Sequence, residues 1–410
     1  MFYSKKYILD NGLNLICIKK DSKLISINVA IRVGALLEDK SERGISHFVE
    51  HMIFKGTKKR NNEDINSDIE KLGGEYNAYT GYDRTVYTFT GLKEEIECII
   101  EIFSDMLQNS IFSSKEIKKE KEVILSEIRT AKDDIEDFSY QKAYYAAFDK
   151  SPLKYDTIGT EDIVNKFTRN EILSFYKKYY IPNNCNIVVA SDYEPYYIYK
   201  LIKEHFGKWE RKEIKKNNIL MERNIPGCNY SYKKDIEQST IIYIFTFNNL
   251  NKNQELALRI LNHKLGESNN SILFKELREK RGLAYDVYTS LDLSKHVKTM
   301  CIYTAVSEEN IEKTINIINN CIDKIKKKEI VFDNSTIDIM KKVLKTATAF
   351  TLEDCEDIAN YVLYQSINNE NIYEFIEDNK ALNYIESNHI YEIANLVLNN
   401  PTIHILKRKE

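Results

Sequence analysis

Two stretches of this chain carry the same order of secondary-structure signals at a separation of about 210 residues, and that repetition limits the fold more than anything else in the sequence. In the first stretch a β-branched run at 25–33 leads to a short helix at 46–54, a helix at 62–72 closed by Gly73-Gly74, and a Tyr/Thr-rich strand pair within 75–91. A helix at 92–109 follows. The capping pattern Ser113-x-x-Glu116 starts another, which runs at least to 130 and toward 137. In the second stretch a β run at 239–247, a helix at 254–265, strands at 283–290 and 299–306, and helices at 309–327 and 334–350 repeat that order. The expected fold class is α+β: two homologous α/β-roll halves, each an antiparallel sheet packed with helices, related by internal duplication. The chain then divides into residues 1–210, a charged linker at 211–228, and residues 229–410. A hairpin around Asp10-Asn11-Gly12 and a strand at 185–190 complete the first half.

The halves differ in one respect. The helix at 46–54 carries His47-Phe48-Val49-Glu50-His51, and its counterpart at 254–265 carries only His263. On a helix, positions i, i+3 and i+4 share a face, so His47, Glu50 and His51 converge. Two imidazoles from consecutive turns form a bidentate clamp for Zn²⁺, and the carboxylate beside them is placed to act as a base. The order H-x-x-E-H inverts the commoner H-E-x-x-H. With seven histidines in 410 residues, chance produces it in roughly one such chain in a hundred. The competing reading is a pair of histidines on a solvated helix face. A catalytic zinc site needs a third protein ligand, and the sequence offers Glu120 and Glu127. These are two turns apart on one helix face, so one can reach a metal while the other holds a histidine N–H. His205, His263, His296, His389 and His404 have no such partner pattern.

Composition removes several classes. Fifty-nine basic residues are offset by 62 acidic ones, leaving a net charge of -3 with no basic stripe, so a nucleic-acid partner is not expected. Seven cysteines without a C-x-x-C argue against a disulfide framework and a cysteine metal site, and point to the cytoplasm. No apolar run reaches the ~20 residues of a membrane span, and residues 1–11 do not read as a targeting segment.

Three segments resemble peptidases of the M16 family, which includes pitrilysin, insulin-degrading enzyme and mitochondrial processing peptidase. They are 44–57 around the H-x-x-E-H motif, Gly73-Gly74-Glu75-Tyr76-Asn77-Ala78-Tyr79-Thr80 with Thr85-Val86-Tyr87, and Leu277-Arg278-Glu279-Lys280-Arg281-Gly282-Leu283-Ala284-Tyr285. The similarity is greatest to a short bacterial branch that itself resembles the processing-peptidase β subunit. The resemblance implies one zinc per chain held by His47, His51 and Glu127, with Glu50 as general base and Glu120 supporting the metal histidines. Asn77, Ala78 and Tyr79 would lie on an edge strand that binds peptide by β-augmentation. Arg278 and Tyr285 would grip the substrate backbone and stabilise the oxyanion.

The expected activity is therefore zinc-dependent hydrolysis of peptides, or of presequence-like unstructured polypeptides, inside an enclosed chamber formed by a homodimer. The alternative is a non-catalytic or partner-dependent subunit of an M16-type heterodimer. The acidic run Asp133, Asp134, Glu136 and Asp137 would suit a basic substrate residue, although such a run at a helix end is more often a solvated face.

Overall fold

The structure, a computed structural model, describes residues 2–214 and 219–409. The middle of the expected linker, 215–218, therefore lies outside the described residues. Strands β1 (Tyr3–Ile8), β2 (Asn14–Lys19), β3 (Leu24–Ile31), β4 (Glu75–Thr80), β5 (Thr85–Leu92) and β6 (Cys185–Ser191) form one sheet in the order β1-β2-β6-β3-β5-β4. Strands β7 (Gly227–Lys233), β8 (Ser239–Thr246), β9 (Ala284–Asp292), β10 (Thr299–Val306) and β11 (Thr402–Arg408) form the other in the order β7-β11-β8-β10-β9. With the extra hairpin strand β1 set aside, the two orders match strand for strand, β4 corresponding to β9. The duplication read from the sequence is thus a duplication of sheet topology.

One detail differs from the expected antiparallel sheets. β2 pairs with β6 in parallel, and β7 pairs with β11 in parallel. In each half the last strand returns beside β2 or its counterpart β7 after a long helical excursion, and a connection of that length does not impose the reversal that a tight hairpin does.

The described residues separate into two compact units: 2–129, 156–214 with 219, and 349–372 in one, 130–155, 220–348 and 373–409 in the other. The strands of the first sheet end by Ser191 and those of the second begin at Gly227, inside the expected linker, and two helices are exchanged between the halves. Helix Cys355–Asn368, from the second half of the chain, covers the first sheet. It lays Ile358, Ala359, Val362 and Leu363 on Ile16, Ile18, Ala30, Val86, Val188 and Ala190. Helix Ile135–Ala147, from the first half, covers the second sheet by a more polar contact. There Ser139 Oγ lies 2.6 Å from Thr240 Oγ1, and the Tyr140 and Tyr303 rings stack. The break ahead of this helix is encoded locally, because the Asp134 side chain accepts the Asp137 N–H and starts a new helix.

Candidate active site

The motif helix spans Ile45–Ile53. Ile45, Phe48, Val49, Met52 and Ile53 are almost completely buried in the core of the first unit. Each such burial stabilises by roughly 1.5–3 kcal/mol, enough to offset the cost of holding two imidazoles and a carboxylate nearly out of water on the opposite face.

The start of this helix is braced twice. The buried Glu38 carboxylate accepts the N–H of Gly44 (2.9 Å) and of Ser46 (2.8 Å), satisfying donors that the first turn leaves open. Gly44 itself adopts φ 92°, and a Cβ there would come within 2.6 Å of the Ile158 carbonyl oxygen. Gly44→Ala should therefore cost about 3 kcal/mol in strain and lower the thermal unfolding midpoint. An unshifted midpoint would mean that this contact does not brace the helix.

The polar face carries the chemistry. His47 Nε2 lies 3.2 Å from His51 Nε2, and Glu127 Oε2 lies 3.8 Å from the first and 3.5 Å from the second. Among the described residues these three are the one group of His, Cys, Asp or Glu whose ligand atoms cluster this closely. A tetrahedral ion with Zn–N near 2.0–2.1 Å requires ligand-to-ligand edges of about 3.3 Å. The observed separations of 3.2, 3.5 and 3.8 Å approach that spacing, so the donor set suits zinc once Glu127 closes slightly on the two histidines. Burial, aided by the neighbouring His51, pushes His47 down to about 3, so it is neutral and able to donate a lone pair. Burial also pulls on His51, but the Glu120 hydrogen bond and the nearby carboxylates outweigh it and leave the group raised.

Glu120 and Glu127 project from helix Ser114–Asp133, seven residues apart on one face as the spacing requires. Glu120 Oε1 lies 2.8 Å from His51 Nδ1, which directs the other ring nitrogen toward the cluster. Glu50 is buried, and burial raises its carboxyl against the opposing pull of a hydrogen bond from Thr80 Oγ1 to Oε2 at 2.6 Å. Thr80 is the last residue of β4, and β4 is the edge of its sheet. Asn77, Ala78 and Tyr79 thus lie on an open strand edge, and Asn77 and Ala78 join Glu50, His51, Phe54 and Glu120 in lining a cleft of about 300 Å³.

Two residues that sequence reasoning passed over sit here: Thr80 on Glu50, and Lys55, whose Nζ is 2.9 Å from Glu120 Oε2. Both stand inside segments already singled out, but nothing in their local pattern marks them. Their roles come from contacts between separate elements.

In the second unit, Arg278 donates to the Tyr285 carbonyl oxygen at 3.0 Å, and its guanidinium packs over the Phe274 and Tyr285 rings. The structure brings these two together, with the Tyr285 side chain well exposed. Arg278 belongs to a π-helical turn, Phe274–Glu279, of a kind often found at functional sites. The acidic run is partly absorbed by structure: Asp134 caps a helix and Glu136 accepts the Tyr288 hydroxyl. Asp83 pairs with Arg84 at 3.2 Å.

A zinc-compatible His/His/Glu cluster beside a buried carboxylate and an open strand edge defines the class, a zinc-protease-like chain of two α+β units. The chain belongs to peptidase family M16. The family described as Insulinase (Peptidase family M16) matches residues 15–161, and the Peptidase M16 inactive domain matches 166–343. An uncharacterized zinc protease of Rickettsia bellii (strain RML369-C) is 32% identical over 388 residues, 92% of each chain. Another from Bacillus subtilis (strain 168) is 28% identical over 350 residues, 85% of this chain and 84% of that one. In fold, a protease from Helicobacter pylori matches with a TM-score of 0.94 at 21% identity, over 99% of this chain and 100% of that one. Among the described residues no helix is long and apolar enough to cross a membrane.

Proposed function

We propose that this chain is a zinc-dependent endopeptidase, of the processing-peptidase type, that cleaves peptides or presequence-like segments laid along β4 as an added strand. One observation carries the reading: the open edge of β4 ends at Thr80, and Thr80 holds the carboxylate that stands beside the metal-ligand cluster. His47, His51 and Glu127 would hold one zinc per chain. Bound zinc would supply Lewis-acid activation of water and polarisation of the scissile carbonyl.

The chain's own residues do the rest. Asn77, Ala78 and Tyr79 bind the peptide backbone through the free edge and set the scissile bond in register. Thr80 occupies Oε2 of Glu50, which leaves Oε1 to take the proton of the attacking water and deliver it to the leaving amine. Glu120 holds His51 in the tautomer that keeps Nε2 unprotonated. Arg278 and Tyr285 retain the roles of backbone grip and oxyanion donor. The proposal includes a homodimer enclosing the substrate. It also places the chain in the cytoplasm, a setting suited to its seven free thiols.

Metal content and cleavage of a quenched peptide test this together. The purified chain should carry stoichiometric zinc and cut the peptide. Absence of zinc, with no cleavage after zinc is added, would overturn the reading in favour of a peptide-binding subunit.

A further inference from the structure

One charged side chain at the cleft has no part in the chemistry above. Lys55 lies four residues beyond His51, between Phe54, which ends the motif helix, and Gly56, which turns the chain away at φ 128°. Its ammonium is 2.9 Å from Glu120 Oε2, while Glu120 Oε1 is 2.8 Å from His51 Nδ1. The row Lys55–Glu120–His51 therefore ends on His51 Nε2, the atom that faces His47 and Glu127.

The two metal histidines are supported unequally. His47 Nδ1 is buried with no hydrogen-bond partner among the described residues, so no side chain does behind that ring what Glu120 does behind His51. His51 depends on Glu120, and Glu120 is in turn nearly sealed from water, its side chain only 5% exposed. A carboxylate anchored through one oxygen can still rotate about its broad terminal torsion, which would swing Oε1 away from the imidazole. A second anchor on the other oxygen fixes the carboxylate plane. Lys55 is that anchor. It also supplies the positive charge that a carboxylate removed from water requires.

We propose that Lys55 is a positioning residue of the metal site: by pinning Glu120 it fixes the His51 ring and raises the affinity of the cluster for zinc. This rests on the zinc reading above, and the experiment separates the two. Zinc affinity is measured on metal-free protein by competition with a chromophoric chelator, for the wild type, Lys55→Met and Lys55→Arg, alongside the thermal midpoint of each metal-free form. Lys55→Met should weaken zinc binding by roughly 10- to 100-fold, the usual effect of losing an outer partner of a metal ligand. Lys55→Arg should restore most of it; the metal-free midpoint should fall in Lys55→Met, where Glu120 is left without its counter-charge, and recover in Lys55→Arg.

A wild type that binds no zinc would sink the zinc reading itself. A wild type that binds zinc while Lys55→Met binds it equally well would overturn the role of Lys55 and leave the zinc reading standing. A metal-free midpoint that falls in Lys55→Met, with no recovery of affinity in Lys55→Arg, would make Lys55 a fold-holding residue and also overturn the proposal. Should Lys55→Met not fold, the Glu120→Gln background decides. There Lys55→Gln should add no further loss of affinity, and a full additive loss would count against the pinning.

Discussion

Glu50→Gln should keep its zinc and lose peptide hydrolysis by about 10³-fold, the middle of the range for removing a general acid–base group. The substitution preserves shape, and the amide oxygen can still accept the Thr80 hydroxyl that now lies 2.6 Å from Oε2. What it removes is the capacity of Oε1 to take a proton. Glu50 is not among the clustered ligand atoms, so metal binding should not change. Burial raises the carboxyl toward the working range of a base, while Thr80 limits that rise. Two results would count against the mechanism: near-normal turnover in the variant, or loss of zinc along with activity, which would place Glu50 in the metal shell instead.

Glu127→Ala carries the second large effect. Zinc binding by four ligands in small metal-folded domains gains about 10–16 kcal/mol, so one ligand is worth about 3 kcal/mol, or roughly 100-fold in affinity. The variant should lose zinc to a chelator that the wild type resists, and lose cleavage with it, while excess zinc restores part of the activity. The Glu127 side chain is 44% exposed, so the metal-free variant should fold as the wild type does. An unchanged zinc affinity would transfer the third-ligand role to another carboxylate.

The parts of this molecule visible in sequence are those set by local periodicity. The motif helix, the seven-residue spacing of Glu120 and Glu127, the Gly73 helix end, and the strand pair that became β4 and β5 all follow from which residues lie three, four or two apart. The Glu127 assignment drew on resemblance as well, since a glutamate on a Lys/Glu-rich helix has no local mark of a ligand. What periodicity could not show is contact between distant elements. The parallel pairing of β2 with β6 joins residues 172 apart in sequence, for example Leu15 with Ile187 and, one pair on, Ile16 with Val188. Thr80 and Lys55 matter only because β4 and helix Ser114–Asp133 converge on the motif helix. The helix expected to continue toward 137 breaks at Asp134. There a signal was present, because an Asp three residues ahead of an amide it can cap is a start as well as a continuation. The helix expected at 254–265 ends at Asn262 and passes into a π turn, a hydrogen-bonding change that leaves the apolar spacing intact.

The exchanged helices Cys355–Asn368 and Ile135–Ala147 build each unit from both halves of the chain. If the chain were expressed as two separate pieces divided at 215–218, the first would present Ile16, Ile18, Val86 and Val188 to water with nothing to cover them, and would carry a helix whose sheet lay on the other piece. Each piece alone should aggregate; the two together should reassemble. The same trade is the signature of a symmetric dimer in which each copy lent a helix to its twin. Joining two such copies end to end would keep the loan while freeing one copy from metal binding. Only the motif-bearing copy need then retain its pair of histidines, and the other could be reshaped for a different task.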